Sequence, residues 1–92
     1  MAKYGYICYF VFTQEFNMSP DQQQAWNANF DKLAKKHGFK RDFSGSPWGV
    51  DYHGVAVLES DKMLDEWEPF ISEVLQTGKV VSTTTTVVSL TQ

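Results

Sequence analysis

A short segment where a loop enters a predicted strand concentrates the side chains best suited to acid–base chemistry. Residues 48–54 carry a carboxylate, a phenol and an imidazole in succession, Asp51, Tyr52 and His53. Histidine titrates near neutral pH, so its ring can take up or release a proton, and a carboxylate such as Asp51 or Glu59 can fix its tautomer. We therefore predict His53, Tyr52 and Asp51 as candidate catalytic residues. The competing interpretation is a structural His53 that hydrogen-bonds within the sheet or at its rim.

Four further side chains are candidates for binding a ligand. Large aromatic rings form the walls of many small-molecule pockets, and an imidazole can hydrogen-bond to a ligand. The predicted ligand-binding residues are Trp26, His37, Trp48 and Trp67. Ordinary packing is the alternative for the tryptophans, because aromatic residues also dominate cores and interfaces. For His37 the alternative is a role at a helix terminus, where a cation complements the helix dipole.

Other chemistries have no supporting pattern in the sequence. Cys8 and the two histidines lack the short paired spacing of zinc sites, so no metal site is predicted. The motifs G-x-G-x-x-G, G-x-x-x-x-G-K-[ST] and G-x-S-x-G do not occur in the sequence. Haem finds no support either, and no cofactor is predicted. Cys8 lies within an apolar run, where burial would raise its pKa and shield it from reaction.

Composition argues against two classes of partner and indicates a compartment. The 92 residues include 8 basic and 11 acidic side chains, which give a net charge of −3 at pH 7. We therefore expect no broad cationic face for nucleic acid or anionic membranes. The apolar run over residues 4–12 is far shorter than the ~20 residues that span a bilayer. A signal-peptide pattern is not found, and one cysteine cannot form an internal disulfide, so we predict a cytoplasmic protein.

The first strand predicts both a sheet and a partner. Residues 3–13 are aromatic and β-branched, which favours a strand over a helix. At period two, one face carries Tyr4, Tyr6, Cys8, Phe10 and Phe12, and the other carries Gly5, Ile7, Tyr9 and Val11. Both faces are apolar, so both should be covered. If helices cover one face, a second copy of the chain is the commonest cover for the other, and we predict a homodimer through that face.

Two amphipathic helices are predicted, with similar start and stop signals. Ser19 and Pro20 begin a helix over residues 19–37, and Gly38 ends it. The cap predicted for the next helix lies 41 positions after Ser19.

That second helix covers residues 61–77. Ser60 and Asp61 are predicted to cap it, Gly78 ends it, and Pro69 is expected to kink it or make it restart. The two terminating glycines lie 40 positions apart.

Three further strands complete a duplicated pattern. They are predicted over residues 39–43, 52–59 and 80–90. Gly54 and Ala56 are expected to share a strand face with Tyr52 and Leu58, and to leave space there for a ligand or a large side chain. Each half of the chain thus has strand, helix and strand, which predicts an α+β ferredoxin-like βαββαβ sandwich: one domain over residues 1–92, with a four-stranded antiparallel sheet and two helices on one face.

Several features of the chain are similar to those of one group of proteins. The chain has about ninety residues, an aromatic first strand, a short loop into an amphipathic helix, and a closing strand after a helix that contains Trp67, Pro69 and Phe70. In these features it resembles the dimeric α/β-barrel proteins. That group includes antibiotic-biosynthesis-type monooxygenases, small polyketide cyclases, muconolactone isomerase-like enzymes and stress-responsive proteins. The resemblance implies pairing into a dimeric α/β barrel. It is architectural and brings no catalytic motif, so it assigns no catalytic residue.

Two functions follow as hypotheses, and they leave open whether the protein is an enzyme. The first is a homodimer that binds a small aromatic or hydrophobic molecule between sheet and helices, with cofactor-independent acid–base chemistry. The alternative is a non-catalytic dimeric sensing or assembly module. A cavity lined by His53, Tyr52 or Trp26 would favour the first, and a space filled by Trp26, Phe30 and Trp67 the second. A third hypothesis, an RNA platform on the aromatic strand, conflicts with the acidic net charge.

Overall fold

A four-stranded antiparallel sheet organises the computed structural model, which describes residues 2–90. The elements, in chain order, are β1 (Tyr4–Phe12), α1 (Gln14–Asn17), α2 (Pro20–Lys36), β2 (Lys40–Gly45), β3 (Gly54–Ser60), α3 (Leu64–Leu75) and β4 (Val80–Ser89). The strands lie in the order β2-β3-β1-β4, and every neighbouring pair is antiparallel. The predicted βαββαβ arrangement is confirmed. The four-residue helix α1 is an addition that the sequence analysis did not predict.

The first long helix has the predicted ends. The Ser19 hydroxyl accepts a hydrogen bond from the backbone N–H of Gln22, and Pro20 occupies the first helical position. At the other end, Gly38 has a φ of 87°, a left-handed conformation that glycine adopts without steric cost.

The start of the second long helix differs from the prediction. Helix α3 begins at Leu64, and its N-cap residue Met63 makes no side-chain capping bond. Ser60 stays in β3, where its hydroxyl donates to the carbonyl of Gly38 at 2.6 Å and accepts from the N–H of Lys62. The predicted cap at Ser60 and Asp61 is therefore wrong, because Ser60 joins the end of β3 to the end of α2 instead.

Pro69 neither ends α3 nor makes it restart. The helix is continuous from Leu64 to Leu75 with Pro69 inside it. Proline lacks the amide that would donate to the carbonyl four residues earlier, so the helix loses one backbone hydrogen bond near its start. Pro69 is exposed, and water can solvate the carbonyl that is left free.

The core lies between the long helices and one face of the sheet. Tyr6 and Phe10 of β1 lie on this face: Tyr6 stacks on Trp67 of α3 at 4.5 Å between ring centroids, and Phe10 packs against Phe30 of α2. The Tyr6 hydroxyl donates to the carbonyl of Lys62. The core consists of Tyr6, Cys8, Phe10, Phe30, Ala34, Phe39, Ala56, Leu58, Trp67, Phe70, Val74 and Val80. The even-numbered residues of β1 therefore meet the helices.

The opposite side of the sheet is more apolar than an ordinary solvated surface. The strand registers place Phe43, Val57, Ile7 and Thr86 in one row across all four strands. We call this side the outer sheet face and define it by Ile7, Tyr9, Val11, Phe43, Val55, Val57, Thr84 and Thr86.

No helix of the described chain is both long and apolar enough to cross a membrane.

The buried thiol of Cys8 is expected to be unreactive in the folded protein. Its side chain is fully buried, and burial raises the pKa of the thiol to about 12, although the Thr85 hydroxyl that donates to the sulfur acts in the opposite direction. Because the thiolate is the reactive species, iodoacetamide at pH 8 should label Cys8 roughly a thousandfold more slowly than a free cysteine. Labelling at the free-cysteine rate without denaturant would contradict this prediction; in guanidinium chloride that rate should return.

Candidate small-molecule site

The loop that enters β3 places His53 against the end of β1. The backbone N–H of His53 donates to the carbonyl of Phe10 at 2.9 Å, and the ring atom Nδ1 accepts from the backbone N–H of Phe12 at 3.0 Å. An imidazole nitrogen that accepts a hydrogen bond carries no proton, so the neutral ring has its proton on Nε2. Nδ1 of His53 thus makes a structural hydrogen bond, while Nε2–H of the same ring can donate to a ligand.

His53 lines an open cleft of about 190 Å³ between α2 and the β2–β3 end of the sheet. Five aromatic rings supply its apolar wall, those of Phe10, Phe12, Phe16, Trp26 and Phe30. The polar lining consists of Gln23, Asn27, Arg41, Ser44, Ser46 and His53. Ligand pockets have this composition in general, with apolar walls and a few placed polar groups, and the small volume favours a ligand of one or two rings.

The small residues of β3 leave space beside this cleft, as expected, and a phenylalanine of β1 fills part of it. A Cβ atom on Gly54 would lie 2.7 Å from the ring of Phe12, which is closer than carbon atoms approach. The ring of Phe12 therefore fills the space that Gly54 leaves. Of the two occupants expected for that space, a ligand or a large side chain, the structure places a large side chain beside Gly54. Ala56 lines the cleft as well and is buried.

Besides His53, three of the polar side chains in the cleft, Arg41, Ser44 and Gln23, are already hydrogen-bonded. Arg41 holds Asp31 through Nε at 2.7 Å and through Nη2 at 2.9 Å, and its Nη1 donates to the Ser44 hydroxyl. Gln23 donates through Nε2 to the carbonyls of Phe16 and Asn17, both at 3.0 Å. These hydrogen bonds hold the rim of the cleft in place, and the N–H groups that donate them are not available to a ligand.

Tyr52 lies on the outer sheet face, away from the cleft. Its ring stacks on Tyr9 at 5.0 Å between centroids, and its hydroxyl donates to Thr84 at 3.2 Å. The expectation that Tyr52 shares a face with Gly54 is wrong because β3 begins at Gly54, and strand alternation does not extend back to Tyr52. Asp51 is exposed in the loop and, among residues 2–90, makes no hydrogen bond to His53.

The other predicted ligand-binding residues lie in three separate environments. Trp26 is half-buried in the cleft wall, and its indole N–H donates to Thr77 at 3.3 Å. Trp48 is 95% exposed in the β2–β3 loop, and Trp67 is buried in the core between Tyr6 and Phe70. Only Trp26 and His53 of the predicted site residues are thus brought together in the cleft of the described structure.

His37 joins the two long helices outside the cleft. Its Nδ1 lies 3.3 Å from a carboxylate oxygen of Glu66, and its Nε2 lies 2.5 Å from one of Glu73. Lys36 donates to the second oxygen of Glu73, so Lys36 and His37 together lower the pKa of that carboxyl. Among the described residues, no group of three or more His, Cys, Asp or Glu side chains is arranged so that it could hold a metal ion.

Sequence reasoning missed most of the polar residues in the cleft. Gln23 and Asn27 lie four positions apart on α2 and share a helix face with Trp26 and Phe30. That spacing is a usable signal, because residues three and four apart lie on one side of a helix. Arg41 and Ser44 had no comparable signal, because β2 joins the cleft only through tertiary structure.

Solved structures resemble this one over nearly the whole chain. A dimeric ferredoxin-like protein of unknown function from Thermobifida fusca YX is 16% identical, with a TM-score of 0.62, and the match covers 97% of this chain and 92% of that one. A dimeric ferredoxin-like protein from an uncultured marine organism is 10% identical, with a TM-score of 0.56 and coverage of 100% and 90%. The chain has a ferredoxin-like fold. The architectural resemblance drawn from the sequence is confirmed at this level.

A third neighbour is a mutant chlorite dismutase from Candidatus Nitrospira defluvii, 11% identical with a TM-score of 0.68. The match covers 99% of this chain, which spans only 41% of that protein. No protein-family model matches the sequence, and no curated protein matches it. The structural likeness is therefore one of fold alone.

Proposed function

We propose that this protein is a homodimer that binds a small aromatic or hydrophobic molecule in the cleft. The observation that carries the proposal is that His53 and five aromatic rings line the same cleft. The ring of His53 is held by the hydrogen bond from Phe12, and its Nε2–H is left as a donor. An apolar cleft with a few oriented polar groups is the usual form of a ligand site. The cleft lies beside a core that is otherwise filled by aromatic packing around Trp67.

The homodimer is supported by the outer sheet face and by the neighbours. Phe43 is 61% exposed there, beside the half-buried Ile7, Tyr9 and Val57. A contiguous apolar surface of this kind usually marks an interface. Two of the structural neighbours are dimeric ferredoxin-like proteins. Because the cleft lies on the helix side, a dimer through the outer sheet face would leave both clefts open.

His53 is the residue of the cleft that we propose for acid–base chemistry. While Nδ1 stays paired with Phe12, Nε2–H can donate a hydrogen bond to a bound molecule. To transfer a proton, the ring must release the N–H of Phe12 so that Nδ1 takes up a proton, and Nε2–H of the resulting imidazolium is then the acid. Neither Asp51 nor Tyr52 belongs to this proposed site, since one lies in the loop and the other on the outer sheet face. A non-catalytic sensing module would use the same cleft for binding only.

Substitution of Asn27 by phenylalanine is expected to abolish ligand binding. Asn27 lines the cleft from α2, so a phenylalanine ring there would take up much of its volume. The purified protein is incubated with cell extract, re-purified and weighed by native mass spectrometry. Wild-type protein should retain a small molecule, and the Asn27→Phe variant should retain none.

The matched control is Asn29→Phe, the same change two residues along α2 at an exposed position. It should retain the molecule as the wild type does. If the wild-type protein retains nothing, or if Asn27→Phe retains as much as Asn29→Phe, the proposed cleft is not the binding site.

A further inference from the structure

The cleft holds no free formal charge to pair with a charged ligand. Fifteen of the described residues line the cleft, and among them Arg41 is the only one with a side chain of the Asp, Glu, Lys or Arg type. Three of its N–H groups already donate to Asp31 and Ser44, so its charge is compensated by the carboxylate of Asp31. A ligand carboxylate would lose hydration without gaining an unpaired cation, and a ligand ammonium would find no carboxylate in the lining.

The hydrogen-bonding groups that remain available in the cleft include several donors. Nε2 of His53 carries the ring proton because Nδ1 accepts from Phe12. The Asn27 amide and the Ser46 hydroxyl also line the cleft and can donate or accept, so His53 is the side chain whose donor role is fixed. The two N–H groups of Gln23, in contrast, are taken by backbone carbonyls. The best match to neutral donors beside aromatic rings is a neutral oxygen acceptor on an aromatic ring.

We propose, on the basis of the function proposed above, that the ligand is an uncharged aromatic carbonyl compound. Its ring lies against the aromatic wall formed with Trp26 and Phe12, and its carbonyl oxygen accepts from Nε2–H of His53. Because Asp31 compensates the charge of Arg41, this side chain does not favour an anionic ligand over a neutral one. Uncharged compounds without an acceptor bind more weakly, because they gain no hydrogen bond from His53.

Four fluorinated compounds of similar size test this selectivity. They are 4-fluoroacetophenone, 4-fluorobenzoate, 4-fluorobenzylamine and 4-fluorotoluene, which present a carbonyl, an anion, a cation and no polar group. Their dissociation constants are measured by ¹⁹F NMR at pH 7.5 with the full chain. The ketone is expected to bind about fivefold tighter than the toluene. The two charged compounds should bind at least about tenfold more weakly than the ketone.

The variant His53→Asn separates the ligand contact from the structural one. Asparagine can still accept from the N–H of Phe12 through Oδ1, but it has no donor at the position of Nε2. The ketone should lose its advantage over the toluene in this variant, whereas the toluene should bind as it does to the wild type. His53→Ala is the second variant, and it should also remove the advantage.

The outcomes distinguish this inference from the proposed function. Tightest binding of the benzoate or the benzylamine, or equal binding of ketone and toluene, would overturn the carbonyl assignment and leave a ligand-binding cleft in place. An unchanged advantage of the ketone in both His53 variants would overturn the role of His53. If none of the four compounds binds, the proposed function fails and this inference fails with it.

Discussion

A single Val57→Lys substitution is expected to convert the proposed homodimer into monomers. Val57 lies in the central row of the outer sheet face, directly opposite Ile7 and beside Phe43. In a two-fold dimer the substitution would place two lysines in the interface, and burying an unpaired ammonium is costly. A standard interface buries about 1,600 Å² in total, with few charged groups at its centre. We expect the dimer to dissociate at least about a hundredfold more readily.

Light scattering at micromolar concentration measures this effect. Wild-type protein should have twice the chain mass of 10.5 kDa, and Val57→Lys should have the mass of one chain. The control is Val50→Lys, which adds the same charge at an exposed position in the β2–β3 loop and should remain dimeric. A wild-type mass of one chain would refute the dimer, and a dimeric Val57→Lys variant would refute the outer sheet face as its interface.

Phe70→Ala is expected to cause a large loss of stability. Phe70 is fully buried in α3 and packs on Phe30, Phe39 and Trp67 with ring centroids 5.2–5.5 Å apart. Truncation of a buried phenylalanine removes apolar contacts and leaves a cavity, at a cost of about 3–5 kcal/mol in the free energy of unfolding. For a chain of this length that corresponds to a fall in melting temperature of more than about 10 °C.

Chemical denaturation at one fixed protein concentration tests the prediction, since stability of a dimer depends on concentration. Trp48→Ala is the control, because Trp48 is 95% exposed and its removal should change the free energy of unfolding by less than about 0.5 kcal/mol. If Phe70→Ala does not fold, Phe70→Leu provides a milder test of about 1 kcal/mol. Equal stability of the Phe70 and Trp48 variants would contradict the core described above.

The fold could be predicted from the sequence because local signals agree with the long-range structure. The period-two pattern of β1 and the start of α2 at Ser19 and Pro20 are such signals. Ser60 shows where they fail. Its type and position favour a helix cap, but its hydroxyl bonds to Gly38, 22 residues away, and this contact has no trace in the local sequence. The helix α1 was missed because four residues carry too little periodicity to recognise.

The candidate site was only partly predictable for the same reason. His53 and Trp26 were identified by residue type, and the structure places both in the cleft. Tyr52 was assigned to the wrong face because a period-two argument needs the true start of the strand. The charge of Arg41 is compensated by Asp31, which belongs to another element. The sequence does not show this pairing, so only the structure reveals that Arg41 brings no unpaired charge to the cleft.

The three tryptophans allow the most direct test of the claim that a small aromatic molecule binds in the cleft. Trp26 lines the cleft, Trp67 lies in the core, and Trp48 is exposed in a loop. Their indole N–H signals are recorded in ¹H–¹⁵N NMR spectra during titration with 4-fluoroacetophenone, and Trp48→Phe and Trp26→Phe variants assign them. The signal of Trp26 should shift until saturation while those of Trp48 and Trp67 stay in place. A shift confined to Trp48, or no shift at all, would contradict the proposed site.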